Sequence, residues 1–177
     1  TDLFHLVVLG ELNAGKSAML NALLGQNVLA MGATPTTQVI QIIRYSDEPY
    51  ERYVGETLLE RGLPVEWLRD ISLVDTPGTN AILREHERIT RDFVPRADLV
   101  LFVTSVDRPF TESERAFLER IRDWGKKVVL ILNKADLLTE DELQEVLTFV
   151  RSNARSLLQL DPPVFPVSAR RALAAQR

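Results

Sequence analysis

The sequence predicts an α/β fold in which helices cover both faces of a mostly parallel sheet, giving three layers. Short apolar runs that fit buried strands alternate with longer, helix-compatible segments along the 177 residues. Two capping boxes, Thr111-Glu-Ser-Glu114 and Thr139 with Glu142, mark helix starts between such runs. We therefore expect a single α/β domain over 1–177, which is long enough to bury a hydrophobic core.

The individual elements follow the apolar runs in chain order. Runs such as 4–9, 71–75 and 128–132 predict strands, and the segments between them predict helices. Gly55, Gly62 and Pro64 indicate an extended hairpin region over 45–69. The predicted order is strand 4–9, helix 16–25, strand 38–44, the hairpin region 45–69, strand 70–75, helix 84–94, strand 98–104, helix 112–123, strand 127–132, helix 140–159, strand 163–167 and a final helix from Ala169.

The first strand leads into Gly10-Glu-Leu-Asn-Ala-Gly-Lys-Ser17, which matches the phosphate-binding GxxxxGK[ST] loop between a strand and a helix. Gly10 and Gly15 allow the sharp turns that expose backbone N–H groups to phosphate. Lys16 is expected to reach the β- and γ-phosphates, and the Ser17 hydroxyl to bind Mg²⁺. The alternative is a glycine turn that binds nothing. The predicted nucleotide contacts here are Glu11, Leu12, Asn13, Ala14, Gly15, Lys16, Ser17 and Ala18.

A second motif, Asn133-Lys-Ala-Asp136, ends another apolar run and indicates guanine as the base. A carboxylate such as Asp136 can accept from both the N1–H and the exocyclic amine of guanine, whereas adenine offers no such donor pair. Lys134 can lie along the base, and Asn133 can tie this loop to the phosphate-binding loop. The alternative is a helix-capping turn. The long separation in sequence between this motif and the phosphate-binding motif makes the two motifs together specific for a guanine-nucleotide site.

Two shorter motifs complete the predicted site. Asp75-Thr-Pro-Gly78 ends a third apolar run, so that Asp75 can contribute to the Mg²⁺ site through water and Gly78 can offer its N–H to the γ-phosphate. A proline-glycine turn with an N-cap aspartate is the alternative. Ser168 and Ala169 follow the last strand and could offer backbone N–H groups to the guanine oxygen.

A threonine that closes on Mg²⁺ and the γ-phosphate is expected between the first two motifs. Residues 33–37, Ala-Thr-Pro-Thr-Thr, supply it, with Thr37 the first choice and Thr36 the second. Whichever of the two does not contact Mg²⁺ would be an ordinary threonine at the start of a strand.

Taken together, the four motifs resemble the arrangement of the translation-factor-related GTPases from end to end. The resemblance implies the P-loop GTPase fold and an enzyme that converts GTP and water to GDP and phosphate with Mg²⁺. Residues 80–99 and 103–114 also closely resemble the fuzzy-onions-like branch of the dynamin superfamily, found in chloroplasts and bacteria. Those proteins are large membrane-remodelling GTPases, so the resemblance implies that this domain is a fragment of a longer protein.

The predicted catalytic residues are Asn13, Lys16, Thr37 and Gly78. Thr79 stands where many small GTPases carry a glutamine that orients the attacking water. Asn13 matches the asparagine that similar GTPases use to hold K⁺ against the phosphates, although it could equally serve only to hydrogen-bond the loop. Thr37 could hold the water through its backbone carbonyl.

The family resemblance also implies pairing of two copies across the nucleotide face, with Asp107 and Arg108 in the contact segment. Either residue could instead be an ordinary loop residue before the Thr111 capping box. Membrane lipid would be contacted by regions outside this chain. We expect the domain itself to be soluble and the full-length protein to associate with a membrane on its cytoplasmic or stromal side.

Composition limits the alternatives. A net charge of −4 and a pI near 5.3 argue against broad nucleic-acid binding, which needs a basic surface, so no nucleic-acid partner is expected. The chain has no cysteine and therefore no disulfide or thiol chemistry. Two other functions stay open: an RNA-linked switch of the ribosome-assembly or tRNA-modification kind, and a slow module for nucleotide-dependent association.

Overall fold

The computed structural model describes residues 3–10, 14–25, 40–55, 58–76 and 91–175. Short 3₁₀ turns lie at Glu66–Arg69, Val94–Arg96 and Ala135–Leu137. The strands are β1 (Phe4–Gly10), β2 (Ile40–Tyr45), β3 (Tyr50–Val54), β4 (Leu58–Leu63), β5 (Ile71–Asp75), β6 (Leu99–Ser105), β7 (Val128–Asn133) and β8 (Val164–Pro166). The helices of these ranges are α1 (Lys16–Leu24), α2 (Glu112–Arg122), α3 (Glu140–Leu158) and α4 (Ala169–Ala175).

The strands form one sheet in the order β3-β4-β2-β5-β1-β6-β7-β8. Strands β5, β1, β6, β7 and β8 are parallel to one another. Strand β2 is antiparallel to β5 but parallel to β4, and β3 returns antiparallel to β4. The prediction of a mostly parallel sheet is confirmed, and the five parallel strands all end at the same edge.

The observed bounds agree closely with the predicted ones, most differing by one residue. Strand β2 ends at residue 45, and residues 38–39 of its predicted range lie outside the described residues. The predicted extended hairpin region contains the β3–β4 hairpin and, in addition, the pairing of β4 with β2. Most of the predicted helix 84–94 lies outside the described ranges, although residues 91 and 92 are helical.

The core has two parts because the central strands are buried on both faces. Along β1, Val7 and Leu9 belong to one apolar cluster and Leu6 and Val8 to the other, as strand alternation requires. The first cluster packs under α2 and α3 through Phe117, Leu118, Ile121, Leu147, Val150 and Ala154. The second packs under α1 and α4 through Met19, Leu20, Leu24 and Ala169. The three-layer prediction is therefore confirmed.

Both predicted capping boxes are present, and they fix where α2 and α3 begin. At α3 the Thr139 hydroxyl accepts from the Glu142 N–H at 3.3 Å, and the Glu142 carboxylate accepts from the Thr139 N–H at 3.0 Å. These two bonds satisfy backbone donors that have no partner within the helix. The N-cap of α3, Thr139, is thereby fixed three residues after Asp136.

Thr139→Ala is expected to lower the free energy of unfolding by about 1 kcal/mol, because it removes the side-chain acceptor at the helix start. Urea unfolding followed by circular dichroism measures the change. Thr148→Ala is the matched control, since Thr148 lies exposed in the same helix and its hydroxyl donates to the Gln144 carbonyl. Equal losses in the two variants would contradict the capping role.

Candidate nucleotide-binding site

The predicted motifs meet because their strands end side by side. In the register of the sheet Val8 lies beside Asp75, Gly10 beside Val103, and Ser105 beside Asn133. The carboxyl ends of parallel strands are where open α/β sheets bind ligands. Three segments far apart in sequence thus form one surface.

The phosphate-binding loop fits against β6 and β7 only because two of its residues are glycines. Gly15 has φ +79°, and a Cβ there would lie 2.4 Å from the Asn133 Nδ2. A Cβ on Gly10 would lie 2.8 Å from the Val103 carbonyl oxygen. Both distances are too short for a real side chain, so substitution at either position would force the loop outward.

Lys16 is buried at the start of α1 with its ammonium group between two partners. Its Nζ lies 2.9 Å from Asp75 Oδ1 and donates to the Thr76 carbonyl oxygen. The side chains of Lys16 and Asp75 are only 4% and 8% exposed, so each charge compensates the other. Asp75 Oδ1 has no aligned hydrogen bond within the described residues. Its contact with Lys16 is therefore electrostatic, and lone pairs of this oxygen remain available for another donor or a metal ion.

Thr76 attaches the end of β5, which carries Asp75, to strand β1. Its hydroxyl donates to the Val8 carbonyl oxygen at 2.8 Å, and the residue is buried. Asp75 and Thr76 are therefore held against β1 directly beside the phosphate-binding loop.

Asn133 links three segments through its side-chain amide. Its Nδ2 donates to the Ala14 carbonyl oxygen at 2.9 Å, and its Oδ1 accepts from the Ala169 N–H at 3.1 Å. The residue is buried at the end of β7. One side chain therefore links the phosphate-binding loop, the start of α4 and residues 133–136, which we call the base-recognition loop after their predicted role.

Lys134 turns the chain at the end of β7 with φ +66°. Its Nζ lies 3.7 Å from Asp107 Oδ2, which joins the loop after β6 to the base-recognition loop. Partial burial raises the pKa of Asp107, but the Ser105 hydroxyl, the residue's own backbone amide and Lys134 together bring that pKa below its ordinary value. Asp107 is therefore a carboxylate at neutral pH, whereas Arg108 beside it is exposed.

The Asp136 carboxylate is held by two donors. The Ser168 hydroxyl donates to Oδ1 at 2.8 Å, and the Arg170 guanidinium donates to Oδ2 at 2.8 Å. The Ser168 hydrogen bond lowers the pKa of Asp136 most; burial opposes it, and a bond from the residue's own backbone and Arg170 lower the pKa further. The carboxylate is thus ionised and oriented, as recognition of two N–H donors on a base would require.

The structure brings together most of the predicted nucleotide contacts. Those at one edge of the sheet are Ala14, Gly15, Lys16, Ser17, Ala18, Asp75, Asn133, Lys134, Asp136, Ser168 and Ala169. Glu11, Leu12, Asn13, Thr36, Thr37, Gly78 and Thr79 lie outside the described residues. Sequence reasoning missed the contact made by Arg170, and the only signal for it was its position two residues after Ser168.

The fold and this arrangement define a P-loop GTPase domain. A family model described as 50S ribosome-binding GTPase matches residues 5–134, and the chain belongs to that family. The enzyme class predicted from the motifs, a GTPase that binds guanine nucleotide, is thereby confirmed.

The relatives of the chain include dynamin-like proteins. It is 48% identical over 180 residues to the probable transmembrane GTPase FZO-like, chloroplastic, of Arabidopsis thaliana, covering 98% of this chain and 20% of that protein. It is 27% identical to dynamin-like protein 2 of Campylobacter jejuni, covering 84% of this chain and 28% of that protein. The predicted likeness to fuzzy-onions-like GTPase domains is confirmed, and the chain spans well under half the length of both relatives.

The fold is also that of a solved bacterial dynamin. A chain from an oligomerised bacterial dynamin pair, described as providing a mechanism for sensing and tethering membranes, superposes with a TM-score of 0.86. The identity is 20%, and the match covers 99% of this chain and 35% of that one. Within the ranges that the structure describes, no helix is both long enough and apolar enough to cross a bilayer.

Ser168→Ala is expected to raise the pKa of Asp136 toward its ordinary value of 3.8, because it removes the hydrogen bond that lowers it most. A carboxyl with a lowered pKa in the folded state adds stability above its unfolded pKa and loses it as the pH falls through the folded pKa. The free energy of unfolding should therefore fall less steeply in the variant than in the wild type below about pH 5.

Carbon-detected NMR titration of the Asp136 carboxyl, with urea unfolding at each pH, measures both effects. Ser156→Ala, at an exposed position of α3, is the control and should leave the titration unchanged. An unaltered Asp136 titration in Ser168→Ala would show that the hydroxyl does not set this pKa.

Proposed function

We propose that these residues form the GTP-hydrolysing domain of a dynamin-like membrane-remodelling protein, dependent on Mg²⁺ and activated when two copies pair across the nucleotide face. The observation that supports this most is the meeting of Lys16, Asp75 and Asn133 at one sheet edge, with Asp136 at the neighbouring loop. The proposed phosphate site and the proposed base site would thus be linked through the Asn133 side chain.

In the proposed reaction, a water oxygen bonds to the γ-phosphorus while the bond to the β–γ bridging oxygen breaks, giving GDP and inorganic phosphate. Lys16 is the residue proposed to neutralise charge on the β- and γ-phosphates. The Gly78 N–H is proposed to contact the γ-phosphate and the Thr37 carbonyl to hold the water. Because Thr79 cannot orient water as a glutamine does, other groups must supply orientation and charge.

Ser17, Thr37 and Asp75 are the proposed Mg²⁺ ligands, Asp75 acting through water. The buried Asp75 Oδ1 without an aligned hydrogen bond is a hard oxygen donor of the kind this ion prefers, so the residues fit it. When bound, the ion supplies charge stabilisation at the transferring phosphoryl group. Asn13 is proposed to hold a K⁺ ion that provides the charge an arginine finger gives elsewhere.

The loop after β6 is suited to a contact between two copies because buried hydrogen bonds fix its backbone. The buried Glu114 carboxylate accepts from the Thr104 hydroxyl at 3.1 Å and from the Thr111 N–H at 2.9 Å. The Thr104 hydroxyl in turn accepts from the Phe110 N–H at 3.2 Å. This network leaves Asp107 and Arg108 exposed beside the base-recognition loop, where we propose that a partner copy docks.

A membrane role for the whole protein rests on the chloroplast relative and on the dynamin-like relative. We propose that lipid is contacted outside these 177 residues and that the whole protein works at a membrane. Retention of the full-length protein on liposomes, with none on ribosomal RNA, is the result expected. The reverse result would favour an RNA-linked switch, against which the net charge of −4 argues.

Asp136→Asn is expected to lower GTP affinity about 10- to 100-fold, since it removes a charged acceptor of two hydrogen bonds. Affinity for xanthosine triphosphate should rise, because the new amide can donate to the C2 carbonyl of xanthine. Competition binding with both nucleotides measures the switch, with Asp141→Asn, an exposed residue of α3, as the control. Retained preference for GTP would place base recognition elsewhere.

Specific GTPase activity is expected to rise with protein concentration and to be higher in KCl than in NaCl at equal ionic strength. Pairing of two copies causes the first effect, and a K⁺ ion at Asn13 causes the second. Initial rates over a range of protein concentrations in each salt measure both.

Arg108→Gln should flatten the concentration dependence, whereas Arg151→Gln, an exposed arginine of α3, should not. Slow turnover that is independent of concentration and of the cation would contradict activation by pairing. It would favour a module whose main role is nucleotide-dependent association.

A further inference from the structure

The contact between Arg170 and Asp136 joins a buried carboxylate to an exposed cation. The Arg170 side chain is 80% exposed and the Asp136 side chain 3% exposed. One carboxylate oxygen, Oδ1, accepts from Ser168, and the other, Oδ2, accepts from Arg170. Both oxygens of the proposed base-recognition carboxylate are therefore already engaged by this chain.

Guanine and a guanidinium group offer a carboxylate the same chemistry. Each presents adjacent N–H donors in one plane, and a carboxylate accepts two such donors side by side. The Ser168 hydroxyl is a single donor beside Oδ1, which has a second lone pair available for the N1–H of a base. The exocyclic amine would pair with Oδ2, where it must share the oxygen with the Arg170 guanidinium, a bulkier planar donor than the Ser168 hydroxyl.

We propose that Arg170 competes with the exocyclic amine of guanine for Asp136 Oδ2 and so reduces the preference of the site for guanine over hypoxanthine. This inference rests on the proposed base-recognition role of Asp136. Hypoxanthine lacks the amine and can bond Asp136 through N1–H alone, leaving Arg170 in place. Guanine must displace the arginine, which an exposed side chain allows at small cost.

The contact also ties the base site to the last helix. Arg170 lies in the first turn of α4, directly after the Ala169 N–H that donates to Asn133. When a guanine base displaces Arg170, the first turn of α4 would lose its contact with Asp136. Its hydrogen bond to Asn133 through the Ala169 N–H would remain. Arg170 is thus a specificity-determining residue that also reports base occupancy to α4.

The test compares dissociation constants for GDP and IDP in the wild type, Arg170→Gln and Arg171→Gln. Diphosphates are used so that hydrolysis does not interfere. Arg171 is the matched control because it carries the same charge one residue further on and lines a cavity together with Asp136 and Ser168, whereas the ion pair to Asp136 is made by Arg170. Calorimetry at one fixed ionic strength gives all six constants.

Arg170→Gln is expected to tighten GDP binding about two- to fivefold relative to Arg171→Gln and to leave IDP binding unchanged. The ratio of GDP to IDP affinity should therefore rise, an effect that a purely structural role of Arg170 would not produce. Weaker GDP binding, or equal changes for GDP and IDP, would overturn the inference. A wild type that binds neither nucleotide would instead overturn the proposed function, so the two failures are distinguishable.

Discussion

The two hydrogen bonds of the Asn133 side chain hold the candidate site in one piece. They join the Ala14 carbonyl, in the phosphate-binding loop, to the Ala169 N–H, at the start of α4. Because both partners are backbone groups, only the buried Asn133 side chain lies between the two segments in this link. Gly15 is required by the same contact, since any Cβ there would displace the amide. Loss of the Asn133 amide would remove this side-chain connection between the phosphate-binding loop and the start of α4.

Charge is the second constraint on this edge of the sheet. A buried ammonium group and a buried carboxylate at 2.9 Å tolerate desolvation only as a pair, so removing either one leaves an isolated charge. Lys16 and Asp75 come from different motifs, and their contact makes the folding of the phosphate-binding loop depend on the end of β5. Lys16 and Asp75 are also the residues proposed to contact phosphate and Mg²⁺. Binding of these ligands would therefore replace part of the contact between two charges that are already buried.

Much of the fold and of the candidate site could be predicted from sequence because the motifs depend on residues that lie close together in the chain. The start of α1 at Lys16, directly after Gly15, and the Thr139 capping box both lie where the pattern indicated. The parallel pairing of β4 with β2 could not be predicted, since polar and apolar residues in 45–69 fit several registers equally well. The Arg170–Asp136 contact was also missed, because an exposed arginine after a strand has many possible partners until the fold selects one.

The ends of the sheet determine how copies of this domain can meet. Among the described strands β3 lies at one edge of the sheet, where Arg52 pairs with Glu60 and Glu51 with Arg61, so that charges line this strand. Strand β8, at the other edge, is three residues long and ends at Pro166, which has no N–H to donate. Charged and proline-containing edges oppose addition of a further strand. Growth of a continuous intermolecular sheet is thus discouraged at both sides, so the pairing that we propose would use loop surfaces and not a sheet edge.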